Sequence, residues 1–163
     1  ADISYIPLRS RRFGYFAVMM DLFSRKIVGW EYSSLMDERL VLAALSRGIR
    51  ERQPEAGLIH HSDRGGQFAS RKYRDMLRRA GMIQSMSAAG NCYDNAFMES
   101  CFGTIKTELQ LVDYADDAEA VRELRDYISY YNVARRHSSL GYDTPVEFER
   151  NQESVSITKT VPK

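Results

Sequence analysis

The sequence is short of the features that mark extracellular or membrane-embedded chains. It has two cysteines in 163 residues, Cys92 and Cys101. Neither belongs to a CxxC, so a zinc site is not indicated and reduced thiols in a cytosolic protein are the default reading. No apolar run approaches the roughly 20 residues that cross a bilayer, and no signal-peptide pattern is present. We therefore expect a cytoplasmic protein with no membrane partner. There is no internal repeat, and no excess of one charge: 23 Lys and Arg stand against 22 Asp and Glu, a net charge of +1. Bulk charge alone thus does not announce nucleic acid. The chain opens abruptly on "ADISYI", already strand-like, and reads as a fragment of a longer protein.

The composition that is present is that of one globular domain, 44% hydrophobic and 28% charged, long enough for a real core. Its charge is unevenly distributed. Arg64, Arg71, Lys72, Arg74, Arg78 and Arg79 crowd one segment against only Asp63 and Asp75, and Arg135, Arg136 and His137 form a second basic cluster. Acids gather between Glu108 and Asp126. A basic and an acidic side fit a phosphate-binding face as well as they fit a mixed solvated surface.

Three β-rich runs, residues 2–6, "YFAVMMDLF" and "IVGWEY", predict an antiparallel meander. Asp37 can cap a helix whose Leu40, Val41, Ala44, Leu45, Gly48 and Ile49 repeat at helical spacing. "LIHHS" predicts a fourth strand, residues 68–80 a helix ended by Gly81, and "MIQSM" a fifth strand. Asp94 can cap a helix to about Gln110, with Phe97, Cys101, Ile105 and Leu109 as its inner face. A long helix follows over about residues 117–134, then a short helical turn after Pro145 and a loose polar tail from Asn151. Trp30 and the tyrosines at 127, 130 and 131 read as core. The expected fold is α/β, a five-stranded mixed sheet (three antiparallel strands, then two parallel) flanked by helices, with residues 1–150 as one domain and 151–163 as tail.

In open α/β sheets chemistry collects at strand ends. Asp63 lies just past the fourth strand, within "GLIHHSDRGGQF". Asp2 opens the first. Glu99 shares a helical stripe with Gly103, Lys106 and Gln110, on the side away from the expected inner face. An interior helical glycine costs about 1 kcal/mol against alanine, so Gly103 leaves bare backbone beside Glu99 where something bulky could approach. Three hard carboxylates near one point suit Mg²⁺ or Mn²⁺ and a two-metal phosphoryl-transfer site, soft until metal binds. His60 and His61 alternate to opposite strand faces and read as packing groups, not metal ligands.

The segments "DISYI", "DLFSRKIVGW", "HSDRGGQFAS", "NCYDNAFMESCFGTIKTEL" and "YISYYNVARRHSSLGYDTPVEFE" resemble the catalytic core of insertion-sequence transposases with a retroviral-integrase-type domain, the insertion-sequence-three family above all. The resemblance covers about residues 1–149. It implies a ribonuclease-H-like fold and a catalytic DDE triad of Asp2, Asp63 and Glu99, which also ligate the metal. The 35 residues from 64 to 98 between the last two acids are the family's spacing. Asp21, in the prominent "MMDLFSRKIVGW" run, reads instead as a residue that shapes the hairpin with Ser24 and Arg25. DNA contacts are implied for Lys106, Arg64, Gln67, Asn91 and Tyr93, and for Arg135, Arg136 and His137, for which helix-end structure is an equal alternative.

The activity implied is that of a bacterial DNA transposase, a DDE polynucleotidyl transferase that recombines DNA in transposition and integration. Water frees a 3′-hydroxyl at the element end, and that hydroxyl then attacks another DNA phosphate. The cofactor implied is Mg²⁺ or Mn²⁺, two ions when DNA is bound. The partners are the element's terminal repeats and target DNA, met at the nucleoid, with a homo-oligomer pairing two ends. Family members carry a helix-turn-helix region for the terminal repeats, not recognisable in this sequence. Asp2 is next to the first residue, so its strand is expected to fray. A ribonuclease-H-like nuclease that only hydrolyses, and a non-catalytic DNA-binding or assembly fragment, are the alternatives.

Overall fold

Residues Asp2–Pro7 (β1), Phe13–Met20 (β2) and Ile27–Ser33 (β3) pair antiparallel in the order β1-β2-β3. Asp2 stands opposite Val18, and Val18 opposite Trp30. The computed structural model describes residues 1–88, 96–109 and 114–159, with side chains as far as Ser154. Ile59–Ser62 (β4) and Ile83–Met86 (β5) form a parallel pair. The Ala1 amine donates to the His61 carbonyl at 2.7 Å. That bond sets the start of β1 beside β4, but no ladder pairs them, so the strands expected as one five-stranded sheet form a three-stranded and a two-stranded sheet.

The period-2 side-chain pattern of β2 divides the core. Phe16 and Val18 enter one apolar cluster, with the helices Ala96–Glu108 (α3) and Asp117–Val133 (α4). Ala17 and Met19 enter the other, with Glu38–Arg52 (α1) and Arg71–Arg79 (α2). The sheet is thus covered on both faces, as a three-layer α/β domain requires.

Local signals act where expected. Asp37 accepts from the Arg39 and Leu40 amides to cap α1, and Asp116 caps α4. Gly81 has φ +69° past α2, a left-handed conformation that favours glycine. Other boundaries move. β2 stops at Met20 and does not run on to Phe23, because Asp21 Oδ1 accepts from the Phe23 amide at 2.8 Å and the Ser24 amide at 3.4 Å and turns the chain. Ser70 caps α2, so residues 68–70 are not yet helix. The turn after Pro145 is a full helix, Pro145–Lys159 (α5), continuing past Asn151 where a loose stretch was expected. Its sequence contains no glycine or proline up to residue 161 to stop it.

The inner face of α3 also differs. Met98, Cys101, Phe102 and Ile105 are buried, whereas Phe97 is 49% exposed. At 100° per residue the i, i+4 ladder from Phe97 drifts by about 40° at each step, while the i, i+3, i+4, i+7 set from Met98 stays on one side. Tyr127 and Tyr131 are core as expected, Trp30 packs against the same cluster, and Tyr130 faces solvent.

His60 and His61 do point to opposite faces. His60 is buried against α2, its Nε2 2.8 Å from the Tyr73 hydroxyl. Burial pulls its pKa from 6.5 down to about 3. Between those values the unfolded chain holds a proton that the folded chain refuses. Stability therefore falls as pH drops from 6.5 toward 3, with a limiting slope of about 1.4 kcal/mol per pH unit. Urea midpoints at pH 7 and pH 5 should show this loss. His60→Gln keeps an amide for Tyr73 but cannot titrate, so it should shrink the difference.

Candidate active site

Three elements meet around Ala1. Its amine bonds the last turn of β4 through His61. Asp2, Asp63 and Cys101 all lie close enough to that nitrogen to act on it electrostatically. The start of β1, the end of β4 and the first turns of α3 therefore share one neighbourhood, and each carries one member of the acid set: Asp2, Asp63 and Glu99.

Each acid is placed differently. Asp2 is half-buried at the first position of β1, with its Oδ1 accepting from the Ile3 amide at 2.7 Å. Asp63 follows β4, and its Oδ1 accepts from the Gly65 amide at 2.9 Å. A Cβ at Gly65 would press to 3.0 Å from that same oxygen, whereas one at Gly66 would meet nothing. Gly65 is thus needed for the tight Asp63 turn, and Gly66 leaves open backbone beside it. Glu99 is exposed on α3 and makes no hydrogen bond or ion pair among the described residues. Gly103 and Lys106 lie exposed along the same side of that helix, and nothing stands within 4 Å of a Cβ at Gly103.

Among the described residues, no three His, Cys, Asp or Glu side chains are already gathered at metal-ligand spacing. Three like charges repel one another without a counter-ion, and the residues nearby fit a hard divalent ion. His61, the imidazole beside Asp63, has Nδ1 2.9 Å from Ser85 Oγ and Nε2 3.2 Å from Ser87 Oγ, so both ring nitrogens are engaged. What remains available is carboxylate oxygen, the donor set of Mg²⁺ or Mn²⁺ and not of zinc.

A cavity of about 320 Å³ lies between β2, α1 and β4, lined by Met19, Leu45, Ile49 and Met98 with Ala1 at its edge. It holds none of the three acids, and its walls are mostly apolar, with Asp21, Arg52, His60 and His61 as the polar exceptions. It is a packing void beside the acids, not a reaction cleft.

The other named residues separate into inward and outward groups. Arg64 is exposed, with its Nε anchored on the Ser87 carbonyl at 2.7 Å. Lys106 is exposed and has no partner among the described residues. Gln67 is half-buried and turned toward the Met36 carbonyl. Asn91 and Tyr93 lie outside the described residues, as do the Asp94 cap and Cys92. In the second basic cluster, two of three members are held by contacts within the chain. Arg135 Nε forks onto both Glu108 oxygens at 2.8 and 3.0 Å, and the Tyr127 hydroxyl bonds the same carboxylate. That hydrogen bond from Arg135 holds the Glu108 carboxyl below the usual range. His137 is buried, edge-on to Tyr131 at 4.8 Å. Arg136 alone of the three faces solvent, and it donates to the Tyr142 carbonyl.

Asp21 stands in the hairpin, where its Oδ2 lies 3.0 Å from Arg52. Arg52 also donates to Glu149 of α5 and to the buried Ser24 hydroxyl. Sequence reasoning missed this tie, and missed Asn132, whose side chain accepts from the Ile27 amide and donates to the Ile27 carbonyl, both at 2.9 Å. It missed as well the Arg25 guanidinium, which lies 4.1 Å over the Phe97 ring and braces the first turn of α3 two residues before Glu99.

The sequence and the fold both match known proteins. Residues 1–92 match one integrase core domain model and residues 80–145 a second. The transposase for insertion sequence element IS904 of Lactococcus lactis subsp. lactis (strain IL1403) is 44% identical over 151 residues, 91% of this chain and 59% of the relative. Transposase InsF for insertion sequence IS3A of Escherichia coli (strain K12) is 40% identical over 150 residues, 91% of this chain and 52% of the relative. The chain thus spans little more than half the length of these relatives. Among solved structures, the HTLV-2 integrase catalytic core domain in complex with magnesium superposes with a TM-score of 0.71 at 13% identity, over 90% of this chain and 91% of that one. The catalytic core of BIV integrase gives 0.64 at 18% identity, over 96% of both. At such identities the likeness is one of fold, the ribonuclease-H-like α/β fold.

Proposed function

Because this chain belongs to the integrase core domain family, among insertion-sequence transposases of the insertion-sequence-three type, we propose that it is the catalytic core of a metal-dependent DNA transposase. The observation that supports the proposal is the meeting of β1, the β4 end and α3 around Ala1, where Asp2, Asp63 and Cys101 of α3 all act on the same nitrogen.

In this reading Asp2, Asp63 and Glu99 would hold Mg²⁺ or Mn²⁺, two ions once DNA is bound. The metal would supply charge stabilisation at the attacked phosphate and make water or a 3′-hydroxyl a competent nucleophile. The chain's own part is placement. Asp63 keeps one oxygen on the Gly65 amide and has the other free among the described residues. Glu99 presents both oxygens outward from a helix whose opposite face is anchored in the core. Lys106, two turns further along α3, offers a cation to the phosphate of the same DNA end. Arg64 and the open backbone at Gly66 would flank the strand on the Asp63 side. Activity on two paired ends calls for a homo-oligomer. The described residues contain no helix long and apolar enough to cross a membrane, and a place at the bacterial nucleoid follows from the DNA substrate.

A labelled duplex ending in a free 3′-hydroxyl, incubated with the chain and Mg²⁺, tests the reading on a denaturing gel. Strands longer than the input, formed by joining, are the expected product. Shortened strands alone would show a nuclease and defeat the transferase proposal.

A further inference from the structure

α2 carries a row of cations that the chemistry above does not use. Its inner side is Tyr73 and Leu77, both buried. Arg71, Arg74 and Arg78 fall at i, i+3 and i+7 on the outer side, within about 60° of one another. The side chains of Arg71 and Arg78 are 91% and 77% exposed. Across the nine residues of the helix, five cations (Arg71, Lys72, Arg74, Arg78, Arg79) oppose one acid, Asp75, an excess of +4. Lys72 is taken by Glu38 at 2.5 Å, and Asp75 is shared between Arg71 and Arg78. Arg74 and Arg79 have no partner among the described residues.

The helix also opens on Arg71 and Lys72 with no acid in its first turn, while α1 and α4 begin with Glu38 and with Asp117 and Glu119. Cations at the positive end of a helix dipole are unfavourable. α2 bears that cost beside the loop that holds Asp63.

We infer that the outer face of α2 is a docking rail for the phosphate backbone of a DNA duplex, lying outside the carboxylate site. The choice of DNA as the polyanion rests on the transposase reading above. The chemistry of the rail fits that partner. Arginine forks match phosphate oxygens in pairs, and four of the five cations are arginine. Arg71 to Arg78 spans about 10 Å of helix axis, about three phosphate steps at roughly 3.4 Å axial rise per strand. Contacts to phosphate oxygens position a duplex without reading its sequence, so a rail used in this way grips without selecting.

The test is fluorescence anisotropy of a labelled duplex of arbitrary sequence with the full 163-residue chain, across about 50 to 200 mM salt. Replacing Arg71, Arg74 and Arg78 together with Gln should make the slope of log K against log salt shallower by about 2.7, three phosphates at about 0.9 each. Unchanged affinity and slope would overturn the rail. So would equally tight, rail-dependent binding of the native chain to phosphatidylserine vesicles, and so would an absence of duplex binding by the native chain. Arg74→Gln separates contact from folding. Arg74 has no partner among the described residues to lose, so the thermal midpoint should stay near the native value while duplex binding weakens. A midpoint that falls together with affinity would assign Arg74 a structural role and overturn the inference. A triple variant that binds and joins as the native chain does removes the rail alone. A native chain that binds through the rail yet never joins strands removes the transposase reading and leaves the rail.

Discussion

Asp2→Asn, Asp63→Asn and Glu99→Gln should each slow strand joining by about a thousandfold or more. A catalytic metal contributes several kcal/mol of charge stabilisation to phosphoryl transfer. Losing about 4 kcal/mol of it corresponds to three powers of ten in rate. The substitutions leave size and the main local contacts in place. The amide side chain of Asp63→Asn keeps an oxygen for the Gly65 amide, and Glu99 has no partner among the described residues to lose. Asp21→Asn is the informative contrast. Asn retains the acceptor for the Phe23 amide but gives up the charge facing Arg52 at 3.0 Å. Both side chains are partly exposed, so the pair is worth about 1 kcal/mol or less. Joining by this variant should stay near the native rate, with only a lowered thermal midpoint. Single-turnover joining by the four variants, measured side by side, checks the assignment.

Gly29→Ala should produce a large loss of stability for a single added methyl. Gly29 is buried in β3 against α1. A Cβ there would fall on the Ala44 carbonyl oxygen and come within 2.7 Å of the Gly48 nitrogen and 3.0 Å of the Gly48 Cα. These are backbone atoms of α1, so relief requires the helix to move off the sheet. Overpacking ordinarily costs about 1–3 kcal/mol, and a clash with backbone belongs at or beyond the top of that range. At about 2–4 °C per kcal/mol for a chain of this size, the midpoint should fall by about 10 °C. Gly48→Ala should go the other way. Its Cβ would meet Met19 and Val28 at an ordinary 3.7 Å, and alanine gains up to about 1 kcal/mol over glycine inside a helix. Thermal and urea denaturation of the two variants measure both signs.

The features legible in the sequence were local. Alternating apolar residues marked the strands, because strand side chains repeat every two residues. Asp37 and Gly81 marked helix ends because capping and left-handed turns demand particular residue types. Asp63 stood out beside its glycine turn, whereas Asp2 and Glu99 were singled out as a set by the family resemblance. What was not legible depends on distance along the chain. Asn132 grips Ile27 from 105 residues away, and Arg52 meets Glu149 across 97. Such pairs leave no pattern in either local segment. The inward turn of Arg135 depends on Glu108, 27 residues earlier and on α3, so the cluster's own segment left phosphate contact and helix-end structure as equal readings. Phe97 shows a subtler limit. It shares a plausible four-residue spacing with Cys101 and Ile105, and only the packing of Met98 and Phe102 against the sheet decides which side of α3 faces in.

If Asp2, Asp63 and Glu99 act as one metal site, a divalent ion must stabilise the folded chain through them. The direct measurement is the shift in thermal midpoint on adding Mn²⁺ to the native chain, Asp63→Asn, Glu99→Gln and Asp21→Asn. An ion that binds only the folded chain at about 100 times its Kd adds about 2.7 kcal/mol, a rise of about 5–10 °C for a chain of this size. That rise is expected for the native chain and Asp21→Asn, and should be lost in Asp63→Asn and Glu99→Gln. A rise that survives both of those substitutions, or that disappears with Asp21→Asn, would contradict the shared site.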